Sequence, residues 1–244
     1  MLTIDLDLLK INGRERILDA GCGLGRHIWQ VCKCNAGTSI AFDMDGTSLQ
    51  SARFVLHQMD QKGEIIGNYH LVSGSVTSLP FDDETFDKVI CSEVLEHVPD
   101  DHGAIRELTR VLKRDGILAV SVPSHFAESV CWRISDDYHN TPGGHIRIYK
   151  HEEILDLLKT KKLDIFLINY KHALHSIYWW LRGLFGLKNE KAVIPALYYK
   201  FLVWDIYSHH KYMGWLEEIL NHFFPKSTVI YSRKQKQEAL VNIK

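Results

Sequence analysis

The amino-acid sequence predicts an α/β fold, a parallel sheet with helices on both faces. Three observations carry this expectation. Short apolar runs alternate with segments of helical periodicity along the first half of the chain, one run (residues 17–20) opens straight into a glycine-rich turn and a helix, and a second ends in an acid, Asp43, about twenty residues after those glycines. Such alternation calls for parallel pairing, because each connection must cross the sheet before the next strand begins.

The elements follow in order. Leu6, Leu9 and Ile11 predict a short leading helix and its exit. After the first strand, Ile28, Val31 and Cys32 keep the i, i+3, i+4 spacing of a helix packed on a sheet. Thr38 to Phe42 reads as strand two, Leu49, Ala52, Arg53 and Leu56 as the next helix, and Tyr69 to Val72 as strand three. Phe86 to Ser92 is strand four. Ile105, Leu108, Val111 and Leu112 make a helical face, Arg114-Asp115-Gly116 is expected to end it, and Ile117 to Pro123 is strand five. From Ser124 to Ile148 the apolar periodicity lapses, so residues 124–150 are expected to be a long substrate-side loop. A helix from His151 to Leu158 and strand six, Leu163 to Tyr170, come next.

Composition narrows the function. With 244 residues and 45% hydrophobic content the chain can bury one substantial core. A formal net charge of −1 offers no general attraction for nucleic acid, and small molecules fit better. Met1 to Leu9, with Asp5 and Asp7, lacks the charged-then-apolar order of a signal peptide, which gives a cytoplasmic expectation. The five cysteines do not suggest a disulfide framework. Cys32-x-Cys34 has no partner pair at zinc-like spacing, and no metal is expected; His209-His210 reads as a solvated helix face.

The turn indicates what the fold holds. The spacing Gly21-x-Gly23-x-Gly25 differs from the Gly-x-Gly-x-x-Gly of a dinucleotide site. Three glycines remove Cβ atoms that would keep a ligand off the backbone, and the following helix presents free N–H groups. An acid at the strand tip, Asp19, disfavours a second anion and suits a ligand carrying positive charge, such as an amino acid with a sulfonium.

Asp19 to Gly25 resembles the first motif of the class I S-adenosylmethionine-dependent methyltransferases, and later segments continue the resemblance. It implies a single Rossmann-like domain over residues 1–244, whose seven-stranded, mostly parallel sheet closes with an antiparallel last strand. Ser227 to Arg233 is the candidate for that strand. The cofactor implied is S-adenosyl-L-methionine, with Asp19, Gly21, Cys22 and Gly23 in the turn, Asp43 on the ribose hydroxyls and Met44 beside it. Ser75 and Val76 would pass the adenine, and Ser92 and Glu93 would approach the cofactor from strand four. Asp45 alone could cap the helix that follows Asp43. For His97, orienting its loop is favoured over proton transfer.

Where the acceptor needs a base, His145 is the first candidate, then His125, with Tyr149 and Glu93 behind. Gly143-Gly144-His145-Ile146-Arg147 resembles a segment of the family's small-molecule members, and the chain is similar to the ubiquinone and menaquinone methyltransferase group. A small or lipid-like acceptor is therefore expected. Residues 172–226, an insertion before the last strand, hold 13 of the chain's 26 aromatics. Its charges interrupt every apolar run before it reaches the ~20 residues of a membrane span. It could cap the substrate mouth, lie at a bilayer surface as a peripheral contact, or simply extend the core. A non-catalytic cofactor-binding or lipid-surface protein is the competing class, and a nicotinamide-dependent oxidoreductase is disfavoured by the glycine spacing.

Overall fold

The computed structural model describes residues 2–35, 37–139, 143–189, 191–208 and 210–236; His209 of the histidine pair falls outside them. Seven strands form one sheet: β1 (Arg16–Ala20), β2 (Thr38–Asp43), β3 (Asn68–Ser73), β4 (Phe86–Ser92), β5 (Leu112–Pro123), β6 (Leu163–Lys171) and β7 (Ser227–Lys234). Their spatial order is β3-β2-β1-β4-β5-β7-β6. Pairing is parallel from β3 through β5, and β7 runs antiparallel to both β5 and β6. The reversed strand is the one expected from residues 227–233.

Along β1 the side chains alternate between faces, as the pleat requires. Leu18 and Ala20 join the core beneath α4 (Asp101–Val111) and α7 (His151–Lys159), where Ile105, Leu108 and Leu158 are fully buried. Ile17 faces the other way, with Ile90, Ala119 and Tyr231, beneath α1 (Leu6–Leu9) and α2 (Arg26–Cys34). Ala41 on β2 packs with Ile28 and Cys32 of α2 and with Leu49 and Leu56 of α3 (Gly46–Gln61). Strand order reverses between β1 and β4, and the carboxyl ends of strands flanking such a point leave a crevice for a ligand.

Two expectations fail. Arg114-Asp115-Gly116 does not close a helix: the chain enters β5 at Leu112, and these residues form an irregularity where the register jumps from Phe86↔Leu112 to Lys88↔Ile117. Residues 124–150 are not a long loop either, since α5 (His125–Ile134) and α6 (Asp136–His139) occupy much of the segment. Ala127 and Cys131 of α5 are buried one turn apart. The insertion adds α8 (Ala173–Phe185), α9 (Val193–Ser208) and α10 (Lys211–Asn221). No helix among the described residues is long and apolar enough to cross a membrane.

Candidate active site

The turn after β1 is clamped to the neighbouring strand, because Gly21 N and Cys22 N both donate to the Phe42 carbonyl, at 2.7 and 3.0 Å. All three glycines have positive φ, 75°, 51° and 95°. Their surroundings differ. A Cβ on Gly21 would lie 2.3 Å from Val94 Cγ2 and one on Gly25 2.6 Å from Trp29 Nε1, whereas one on Gly23 would meet nothing within 4 Å. The expectation of three glycines clearing space for a ligand is thus corrected to one. Gly21 and Gly25 make room for the protein's own Val94 and Trp29.

Gly23 opens on a cleft of about 580 Å³ at the carboxyl ends of the central strands. Seven of the ten residues expected around the cofactor line it: Gly21, Gly23, Asp43, Met44, Ser75, Val76 and Glu93. Asp43 Oδ2 accepts from Gly23 N at 2.7 Å and Oδ1 from Asp45 N at 2.9 Å. A carboxylate has about four acceptor positions, so capacity remains for a pair of hydroxyls. Asp45 takes the capping role, accepting from Thr47 N and Ser48 N at the start of α3. Ser75 Oγ lies 2.8 Å from Thr77 Oγ1 and is already engaged within its own turn. Val76, Val94, Val98 and Pro99 supply apolar walls. A diol acceptor, a glycine whose absent side chain is open space, and apolar walls together fit S-adenosylmethionine.

Three expected cofactor residues lie behind the cleft lining. Asp19 is 1% exposed, and its Oδ2 accepts from Ile28 N at 3.1 Å in the first turns of α2. Burial, reinforced by the nearby Asp43, pushes its carboxyl up to about 7. Cys22 is buried beneath the turn. Ser92 Oγ pairs with Ser121 Oγ at 2.8 Å, and Ser121 in turn donates to Glu93 Oε1 at 3.0 Å, fixing the side chain that does reach the cleft.

A second polar group adjoins the cleft and was largely missed from sequence. His97, in the 3₁₀ turn Leu95–His97, lines the cleft and places Nδ1 3.1 Å from the Gly144 carbonyl. A carbonyl only accepts, so Nδ1 is the donor in this contact. The His145 ring stands 4.9 Å away, with Nδ1 2.5 Å from Glu128 Oε1 and Nε2 4.0 Å from Glu96 Oε1. Glu128, fully buried, also accepts from Trp132 Nε1, Tyr138 OH and Lys226 Nζ. Burial opposes its charge, but the His145 hydrogen bond and the Lys226 ammonium overcome that and bring the carboxyl down to about 2. Glu96 is its opposite. It is fully buried with neither carboxyl oxygen hydrogen-bonded, and burial together with Glu93 raises it well above the usual carboxylate range.

The expected catalytic residues therefore separate. His145 sits one ring behind His97 in this acid–histidine group. His125 is exposed at the first turn of α5 and does not line the cleft. Tyr149 is 7% exposed, and its hydroxyl donates to Asp101 Oδ2 at 2.6 Å and approaches the Leu95 carbonyl at 3.3 Å. It ties α4 to the turn before it, and burial with the Asp101 carboxylate raises its phenol, so it is no base for the cleft. Glu96 lies in the segment after strand four that carries the family resemblance, but no role was expected of its carboxyl group, and Lys226 lies in no motif. Glu128 had a signal, the helical spacing of Ala127, Val130, Cys131 and Ile134 around it.

A family model described as a methyltransferase domain matches residues 11–176. The sterol 24-C-methyltransferase erg6 of Schizosaccharomyces pombe is 32% identical over 147 residues, which are 57% of this chain and 32% of the relative. The sterol 24-C-methyltransferase erg6 of Aspergillus fumigatus is 25% identical over 237 residues, 87% of this chain and 56% of its own. The chain thus spans about a third to a little over half the length of these curated relatives. Among solved structures, an S-adenosylmethionine-dependent methyltransferase from Methanosarcina mazei superposes with a TM-score of 0.64 at 14% identity, covering 97% of this chain and 100% of that one, which shows the shared fold. Because the matched segment contains the Gly23 turn, Asp43 and the cleft they build, the chain belongs to the methyltransferase-domain family and shares the fold of an S-adenosylmethionine-dependent methyltransferase.

Proposed function

We propose that this chain methylates a lipid-like acceptor of isoprenoid type, with the reacting atom held between the cofactor cleft and the acid–histidine group beneath α5 and α8. One observation carries the reading: the buried acids Glu96 and Glu128, with half-buried His145 and the exposed His97 ring, adjoin the cleft beside an aromatic cover. Tyr138 packs edge-on against both His145 and Trp179 of α8, and Trp180 of α8 packs against Phe126 of α5. The sterol methyltransferases among its relatives favour the same kind of acceptor.

When bound, the cofactor supplies an electrophilic methyl group on a sulfonium that is its own leaving group. The residues of this chain must align the acceptor, exclude water and take up a proton. His97 lines the cleft and acts as the base in this reading, with its ring held by the Nδ1 contact to the Gly144 carbonyl. Positive charge that develops on an alkene acceptor or on the imidazole is stabilised by the Glu93 and Glu128 carboxylates and by aromatic faces. His145 is a positioning residue, held by Glu128 behind His97.

Helices α8 to α10 deliver the acceptor from a bilayer surface in this account. Of α9, only Pro195 and Leu202 are buried. Tyr207, Tyr212, Trp215 and Phe223 are 65–85% exposed, an apolar and aromatic surface suited to the headgroup boundary. The test is methyl transfer from labelled S-adenosylmethionine into extracted lipids. Turnover confined to water-soluble acceptors by a folded, cofactor-binding protein would overturn the proposal.

A further inference from the structure

A second histidine–carboxylate group lies away from the cleft, where the insertion leaves the sheet. His172 follows β6 and is the N-cap residue of α8, His175 stands one turn along, and Glu217 projects from α10. Each offers one ligand atom, and these atoms lie within 4.8 Å of one another. Of the six buried side-chain polar atoms without a hydrogen-bond partner among the described residues, three are here: His172 Nδ1, His175 Nδ1 and Glu217 Oε1. Native structures rarely leave such atoms unpaired, and three on side chains whose ligand atoms lie this close together indicate a ligand that the three residues share. Neighbouring contacts are by contrast satisfied, since Ala173 N donates to Asn221 Oδ1 at 2.9 Å and Ser176 Oγ to the Phe224 carbonyl at 2.9 Å. None of the three lines the cofactor cleft.

We infer that His172, His175 and Glu217 bind a divalent transition-metal ion of the zinc class, which pins α8 and α10 to the end of β6. Two imidazoles and one carboxylate suit zinc, whereas magnesium and calcium take oxygen donors. Coordination draws the three atoms to the ~3.3 Å separations of a tetrahedral shell at 2.0–2.2 Å bond lengths, a movement that side-chain rotation supplies. An open cavity of about 760 Å³, lined by His172, Gly214, Glu217 and Asn221, lies beside two of the three residues. The absence of a metal expected from sequence rested on the cysteines and the spacing of near neighbours; Glu217 is 42 residues past His175 and joins it only through the fold.

The experiment uses the untagged full chain and Zn²⁺ alone. Chelator-stripped protein dialysed against Zn²⁺ should retain one equivalent by elemental analysis, and its thermal midpoint should rise by roughly 5–10 °C at a hundredfold excess over Kd. Co²⁺ in its place should show the visible absorption of a tetrahedral site. His175→Ala and Glu217→Gln should each lose that equivalent, while His145→Asn, which breaks the other acid–histidine group, should retain it. Stripped and loaded wild-type protein that melt together without stoichiometric Zn²⁺ overturn the inference, and need no variant to fold. So does retention unchanged in Glu217→Gln and His175→Ala, or lost in His145→Asn.

Discussion

Replacing Gly23 by alanine separates the ligand's demand for space from the turn's demand for conformation. At φ 51° an alanine pays the left-handed penalty, roughly 1–2 kcal/mol. Within the protein its methyl group meets nothing within 4 Å, so no steric cost is added to the fold. Gly13 is the matched control, since it too has positive φ, 85°, with nothing within 4 Å of the place a Cβ would take, and it is not part of the cleft. Both variants should therefore lose roughly 2–8 °C in thermal midpoint for a chain of this size. Only Gly23→Ala would place a carbon in the cleft proposed to hold the cofactor. Calorimetric titration with S-adenosylhomocysteine should show at least a tenfold weaker Kd for Gly23→Ala, about 1.4 kcal/mol, and a change within twofold for Gly13→Ala. Cofactor affinity within twofold of wild type in a Gly23→Ala protein that shows the expected loss of stability would refute the placement of the cofactor against this turn.

The other outcomes concern residues around the same cleft. Asp19 rises from 3.8 to about 7 on folding, so between those values the native protein keeps a proton the unfolded chain has released, and stability falls as pH rises through that window by roughly 4 kcal/mol. In urea melts the stability of Asp19→Asn relative to wild type should grow from pH 4 to pH 7 and then level; a difference that does not change with pH refutes the burial argument. Tyr149→Phe should cost about 1.5–3 kcal/mol through its hydrogen bond to the Asp101 carboxylate, with turnover of the folded protein within twofold. His97→Asn should lower kcat by a factor of about 10²–10⁴ with cofactor affinity unchanged, and His145→Asn should lower it less and shift its pH profile, as expected of a residue acting through another. Replacing Tyr212 and Trp215 with serine should reduce liposome flotation without moving the thermal midpoint, since both side chains are largely exposed.

Local pattern made the sheet legible. Strands β1 to β4 sit within a residue or two of their expected limits because each is an apolar run bounded by turn residues, and the acids Asp43 and Asp45 split between ligand side and helix cap as two carboxylates two residues apart can. The α5 stripe was obscured because its buried face also carries Glu128, an acid whose burial depends on Lys226 and His145 from distant parts of the chain. The three glycines looked equivalent in sequence, yet what fills the space beside each is Val94, Trp29 or nothing, which only the packed structure distinguishes. Tyr149 looked available as a base until its Asp101 partner, 48 residues earlier, came into contact. For Gly21, Glu128 and Tyr149 the missing information was a neighbour distant in sequence.

The most direct test of the account is transfer of label from methyl-labelled S-adenosylmethionine to a total lipid extract by wild-type and His97→Asn protein. The account predicts label in an apolar isoprenoid fraction, reduced at least a hundredfold by the substitution while S-adenosylhomocysteine still binds with wild-type affinity. Label absent from the lipid fraction, or unchanged in His97→Asn, would contradict it.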